Sequence, residues 1–155
     1  YNSLIGVPDF ETTPEAIQLS LTNTITEANA SLDKIGALTA NEVTFANTVR
    51  ALDDLSYRAG TFGNRLSLIK GTSTNAAVRE AATAAIKEFS EWSVGLEYRE
   101  DVYTAVKAYA DQQAALVGEE AKLLTETLRD YRRAGLALPK SERDEVERLR
   151  GEQVL

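Results

Sequence analysis

Apolar residues recur at intervals of three and four along most of the chain, and no stretch of any length alternates with the two-residue period of a strand. Ile17, Leu21, Ile25, Ala28, Leu32 and Ile35 form one such face, and Phe45, Val49, Leu52, Leu55, Ala59, Phe62, Leu66 and Ile69 form the next. The pattern resumes with Val78, Ala82, Phe89, Trp92 and Leu96, then with Val102, Val106 and Tyr109, then with Leu124, Leu128 and Tyr131. Val146 and Leu149 mark a last amphipathic segment. This period is that of a helix with one buried face. Only 9 Gly and 3 Pro occur in 155 residues, so little interrupts the helices that the abundant Ala and Leu favour. The expected fold is all-α, an antiparallel bundle of five or six helices joined by short loops. The length fits one domain, and unequal helix lengths leave no internal repeat.

Residues at the ends of these faces predict the boundaries. Residues 1–12 lack periodicity and contain Val7-Pro8-Asp9, so they read as an extended arm, with a helical domain over 13–155. The first helix starts at Thr13-Pro14-Glu15, where Thr caps, Pro suits the first turn and Glu suits the positive dipole end. Gly36 ends it. Thr39-Ala40-Asn41-Glu42 has the form of a capping box, and Thr44 is a second candidate cap. Gly60 and Gly63 imply a bend or close packing. Gly71 to Asn75 reads as a loop, Arg99-Glu100-Asp101 as a break or a fresh start, and Val117-Gly118 as a turn. A further helix ends near Gly135, and Leu138-Pro139 precedes the last one. There Arg143 and Glu147, and likewise Asp144 and Arg148, stand four apart, the spacing of surface ion pairs.

The absent residues restrict chemistry. With no Cys there is no disulfide framework and no thiolate metal site. With no His neither an imidazole zinc site nor a Ser-His-Asp triad can be built from this chain alone. The formal net charge is −7, and both halves are acidic, which argues against nucleic-acid partners and against adhesion to an anionic membrane. No apolar run approaches the roughly 20 residues of a membrane helix. The chain begins at Tyr1 and has no Met; the simplest reading is a piece of a longer protein.

Each candidate for chemistry has a plainer structural explanation. The acidic pairs Asp53-Asp54, Glu100-Asp101 and Glu119-Glu120 are adjacent on helices, so their side chains diverge and read as solvated faces. Gly71 to Asn75 precedes a helix but lacks the Gly-Lys-Ser/Thr end of a phosphate loop. Gly60-Thr61-Phe62-Gly63 has the GxxG form of one RNA-binding class, within a helical and acidic context that favours packing. Asn29-Ala30-Ser31 is a glycosylation sequon inside a helix, read as chance. Trp92 falls in phase with Phe89 and Leu96, which makes it core rather than a ligand contact. Arg132-Arg133 could clamp a carboxylate, yet basic residues also suit the last turn of a helix. No residue is assigned a catalytic, cofactor-binding or metal role.

Several stretches, in order, carry a resemblance. They are Thr13-Pro14-Glu15-Ala16-Ile17, Ile35-Gly36-Ala37-Leu38, Glu42-Val43-Thr44-Phe45 with Asn47-Thr48, Arg99-Glu100-Asp101-Val102-Tyr103, and Arg132-Arg133-Ala134-Gly135-Leu136-Ala137-Leu138-Pro139. Together they resemble the N-terminal region of the zinc metallopeptidases that include thimet oligopeptidase, neurolysin and saccharolysin. Ala134 stands where that family usually has Asn, and Leu66 to Thr74 matches poorly. The resemblance implies a larger all-helical, cytoplasmic enzyme that cleaves short peptides in a deep channel. It also implies a zinc held by a His-Glu-x-x-His helix and a downstream Glu in a C-terminal catalytic domain. None of those residues is in this chain, so it inherits no catalytic or metal role. It would be a non-catalytic N-terminal domain forming part of the channel wall, with short peptides and the catalytic domain as its partners. Two other readings use the same helices: a stand-alone module binding a partner helix or peptide in a groove, and a structural or oligomerisation bundle.

Overall fold

The computed structural model describes residues 9–96 and 98–154, with the side chains of 147, 150, 151, 153 and 154 outside the description. Among the described residues there are six α-helices and no strand. They are α1 (Pro14–Gly36), α2 (Ala51–Thr72), α3 (Ala76–Leu96), α4 (Glu100–Asp111), α5 (Gly118–Ala134) and α6 (Lys140–Val154). The expected all-α bundle is therefore what forms. Residues 1–8 of the expected arm lie outside the described residues, and residues 9–12 have no regular secondary structure.

Most helix ends follow local chemistry. Thr13 caps α1 by accepting the Ala16 N–H at 3.2 Å, with Pro14 and Glu15 in the first turn. The α5 terminus is a Schellman motif. Gly135 takes a left-handed φ of 98°. Its N–H donates to the Arg132 carbonyl at 3.0 Å, and the Leu136 N–H donates to that of Tyr131, also at 3.0 Å. Buried Leu136 locks the turn down.

The second helix departs from expectation. Thr39 and Glu42 do pair: the Thr39 N–H and hydroxyl both donate to Glu42 Oε2, at 2.9 and 2.6 Å. They close a turn, however, and no helix follows directly. Val43 must reach the core, where it is 3% exposed, and this diverts the chain. The working cap is Thr44, whose hydroxyl accepts the Asn47 N–H at 3.2 Å while its own N–H donates to Asn47 Oδ1 at 2.7 Å. A π-helical turn over Ala46–Arg50 follows, with the Arg50 N–H donating to the Phe45 carbonyl at 3.0 Å. It runs straight into α2.

Two apolar clusters hold the helices. One joins Ile17 and Leu21 of α1 to Phe62, Leu66 and Ile69 of α2 and to Val78, Ala82 and Ala85 of α3. The other joins the second half of α1 (Ala28, Leu32, Ile35) to Val49 and Leu55, to Val102 and Val106 of α4, and to Tyr131 of α5. The early part of α1 thus meets the late part of α2, as antiparallel packing requires. Each fully buried Leu, Ile or Val contributes about 1.5–3 kcal/mol, and α1 supplies such residues to both clusters. Of the two paired glycines, only Gly63 is in close packing: a Cβ there would sit 3.2 Å from the Phe89 ring, whereas Gly60 has open space around it.

Candidate functional site

Helix α5 is held at both ends but not in the middle of one side. Its first turn is tied to the start of α2 by Arg50 and Glu120 at 2.9 Å. Near its far end Tyr131 is buried and its ring meets that of Tyr103 on α4, with centroids 5.5 Å apart. Between these anchors α5 stands off α2 and α3, leaving a groove of about 650 Å³.

The groove is built from three helix faces. Leu52, Leu55 and Ala59 of α2 line one side, Phe89, Trp92 and Leu96 of α3 a second, and Leu123, Thr127 and Tyr131 of α5 the third. Leu32 of α1 also lines it. Trp92 is half-buried rather than core: its indole N–H donates to Asn29 Oδ1 at 3.0 Å, and its ring lies 5.3 Å from that of Phe89. The polar edge that an indole must satisfy is turned inward, leaving apolar surface on the groove. Asn29, the sequon residue, is thereby engaged within the bundle.

Asp53, Asp130 and Arg133 bring charge to the groove. Asp130 accepts from Arg129 Nε at 3.0 Å. Asp53 and Arg133 are exposed and, among the described residues, form no ion pair. The hydroxyls of Ser93 and Thr127 donate to backbone carbonyls of Ser90 and Leu123, each at 2.8 Å. Ser56 also lines the groove, along with the carboxylates of Asp53 and Asp130.

The other sequence candidates are used structurally. Glu100 accepts from Arg143 of α6 at 2.9 Å, and Glu120 pairs with Arg50. Asp144 pairs with Lys140 at 2.8 Å, and Arg148 pairs with Glu145 and Glu152. The expected Asp144–Arg148 pair is thus replaced by pairs at other i,i+3 and i,i+4 positions, and the Glu147 side chain lies outside the described residues. Asn75 Oδ1 accepts the Ala77 N–H at 3.0 Å, an ordinary helix cap. Among the described residues no three or more Asp or Glu side chains are grouped to hold a metal ion, and no helix is long and apolar enough to cross a membrane.

Two polar clusters had no periodic signal. Arg99 donates to both Asp101 oxygens, at 2.8 and 2.6 Å, and to Asp33 Oδ1 at 2.8 Å, joining the start of α4 to the end of α1. The guanidinium beside Asp101 holds that carboxyl below its usual range. Gly36 makes the approach possible, since a Cβ there would fall 2.1 Å from Asp101 Oδ2. Two of the stretches that carry the family resemblance, 35–38 and 99–103, thus meet in space. Separately, Glu11 pairs with Arg65 at 2.7 Å, with side-chain exposures of 8% and 24%, and Arg65 lies 5.3 Å over the Phe62 ring. That pair pins the residues ahead of α1 to α2.

Comparison with known proteins adds an independent line. No family model matches the chain. It is 29% identical over 114 residues to a protein of Dictyostelium discoideum named "Thimet-like oligopeptidase", covering 68% of this chain and 16% of that protein. It is 31% identical over 126 residues to an Arabidopsis thaliana protein named "Probable thimet oligopeptidase", covering 77% of this chain and 17% of that one. The chain therefore spans about one sixth of the length of these curated relatives.

Proposed function

We propose, for a chain related to the thimet oligopeptidases, that it is the non-catalytic N-terminal helical domain of a zinc metallo-oligopeptidase acting on short peptides. The observation that carries this reading is the similarity itself, which extends over most of this chain yet covers only a sixth of each relative. In this reading the bundle forms part of the wall of a substrate channel in the cytoplasm. It packs against a C-terminal catalytic domain, restricts entry of folded proteins and helps position peptides. An apolar groove left open between α2, α3 and α5 is consistent with a bundle that offers surface to other polypeptide.

The residues of this chain do not fit a zinc ion. It has no His and no Cys, and no three acidic groups converge among the described residues. The proposal therefore assigns the zinc ligands to polypeptide outside these 155 residues.

The test is to express the complete coding region and measure hydrolysis of a short quenched peptide, with and without a chelator, beside the 155-residue chain alone. The expected result is chelator-sensitive cleavage by the complete protein and none by the chain. Cleavage by the chain itself, or an inactive complete protein, overturns the reading. An early stop after Leu155 also overturns it and favours the stand-alone interaction module.

A further inference from the structure

We infer that the residues just ahead of α1 form a strap that positions the aromatic wall of the groove, with Glu11 acting on Trp92 through Arg65, Phe62 and Phe89. The strap has two states, docked on α2 and released, and the groove wall differs between them.

A line of direct contacts joins the two places. Glu11 stands between exposed Phe10 and Thr12, yet its own side chain is only 8% exposed and its Oε1 accepts from Arg65 at 2.7 Å. The Arg65 guanidinium lies 5.3 Å over the Phe62 ring. Phe62 is buried and meets Phe89 of α3 edge-on, with centroids 5.5 Å apart. Phe89 in turn lies 5.3 Å from Trp92. Gly63 lets the Phe89 ring sit directly against α2, since a Cβ there would be 3.2 Å from it. Phe89 and Trp92 line the groove, whereas Glu11 and Arg65 do not.

The docked state is held by one short bond and opposed by a cost. Glu11 Oε2 and Arg65 Nε are buried without a hydrogen-bond partner. A buried donor or acceptor left unsatisfied carries a desolvation penalty comparable to the net worth of a hydrogen bond or greater, and release returns both atoms to water. The two terms oppose each other, so the strap is poised. When Glu11 leaves, the half-buried guanidinium loses its counter-ion, and a charge left uncompensated turns toward water. The cation then quits the face of Phe62, and Phe62 and Phe89 repack together. A close-packed interior passes such a shift on, because no void absorbs it. Linkage makes the effect mutual: an occupant of the groove that moves Trp92 shifts the strap by the same free energy.

Trp92 is the single tryptophan, so its emission reads the wall, while chymotrypsin cleavage after Phe10 reads release of the strap. In Glu11→Ala that cleavage should rise roughly ten-fold, since proteolysis tracks the open population. In the same protein the Trp92 emission should shift to the red and become more accessible to acrylamide. Glu11 lies outside both apolar clusters, so circular dichroism should show the helices intact. Glu11→Gln, which keeps the shape and removes the charge, should move both readouts in the same direction by less. Arg65→Ala should also move both, and adding Glu11→Ala to it should change Trp92 no further, the non-additivity of a shared route. A folded Glu11→Ala protein with a lowered urea midpoint but unchanged native Trp92 emission and quenching overturns the proposal and leaves Glu11 a purely structural role. Additive changes at Trp92 in the double variant overturn the route through Arg65. A Trp92 change with no gain in cleavage after Phe10 overturns the strap.

Discussion

Gly36 shows how one missing side chain can organise a junction. Its backbone is helical, so Ala would ordinarily gain about 1 kcal/mol there. Here the added Cβ would meet Asp101 Oδ2 at 2.1 Å and Asp101 Cβ at 3.0 Å. Relief requires the carboxylate to swing away, which releases its bonds to Arg99 and leaves that half-buried guanidinium with Asp33 alone. Gly36→Ala is expected to lower stability by about 1–2 kcal/mol. In an Asp101→Ala background the same change should become neutral or stabilising, and urea denaturation of the four proteins forms the cycle that checks it. The Asp101–Arg99 bond has a defined pH sense as well. A carboxyl whose folded pKa is depressed stabilises fully above the unfolded value near 3.9 and loses that contribution as pH falls through the folded one. In the sequence, Gly36 was legible as a helix stop and Asp101 as a helix-start acid. That they touch depends on a fold that brings positions 65 apart together, which neither local pattern contains.

Among the elements, the helix ends were readable wherever one residue could satisfy the backbone unaided. Thr13 and Gly135 lie where their chemistry predicts, and Arg99-Glu100-Asp101, read as a break or a fresh start, is the start of α4. The entry to α2 was ambiguous for a physical reason: two successive segments, Thr39–Glu42 and Thr44–Asn47, can each close a box. Burial of Val43 decides between them, and burial is a property of the tertiary structure. Thr44→Ala should therefore cost about 1 kcal/mol in thermal or chemical denaturation, the usual value of a lost N-cap. Thr39→Ala, which removes one bond in an exposed turn, should cost only a few tenths. Equal costs would mean that the helix is capped from Thr39 after all. The surface ion pairs of α6 were the least legible feature. Lys140, Arg143, Asp144, Glu145, Arg148 and Glu152 offer several i,i+3 and i,i+4 partners of nearly equal worth, so spacing alone does not select among them.

For the whole molecule, helical class and core composition were written in the period of the apolar residues, while the groove was not. Trp92 and Leu96 are in phase with the core, and Leu123 is an apolar residue of an amphipathic helix. They border open space because α5 is pinned to the start of α2 and to α4 and does not close on α3. That standoff is a distance between elements, which sequence periodicity does not encode. The same packing predicts uneven protection. Helices α1 and α2 supply buried residues to both clusters and α3 to one, whereas α6 contributes no fully buried apolar side chain among the described residues and its ion pair to another helix is Arg143–Glu100. Hydrogen exchange should be slowest for amides of α1 and α2 around Leu21 and Leu66, and fastest among the helices in α6. Protection of α6 equal to that of α1 would contradict this ordering.

The division of the core into two clusters also bears on how the chain is made. The first cluster draws only on residues 17–89, while the second is completed by Tyr131, Ala134 and Leu136. During synthesis the leading three helices can close on one another while the last third of the chain is still being translated. Leu32 and Ile35, at the trailing half of α1, meet Val49 and Leu55 early but gain the rest of their cover only when α4 and α5 emerge. The long first helix is thus both the earliest part to find partners and the surface on which the nascent chain finishes folding.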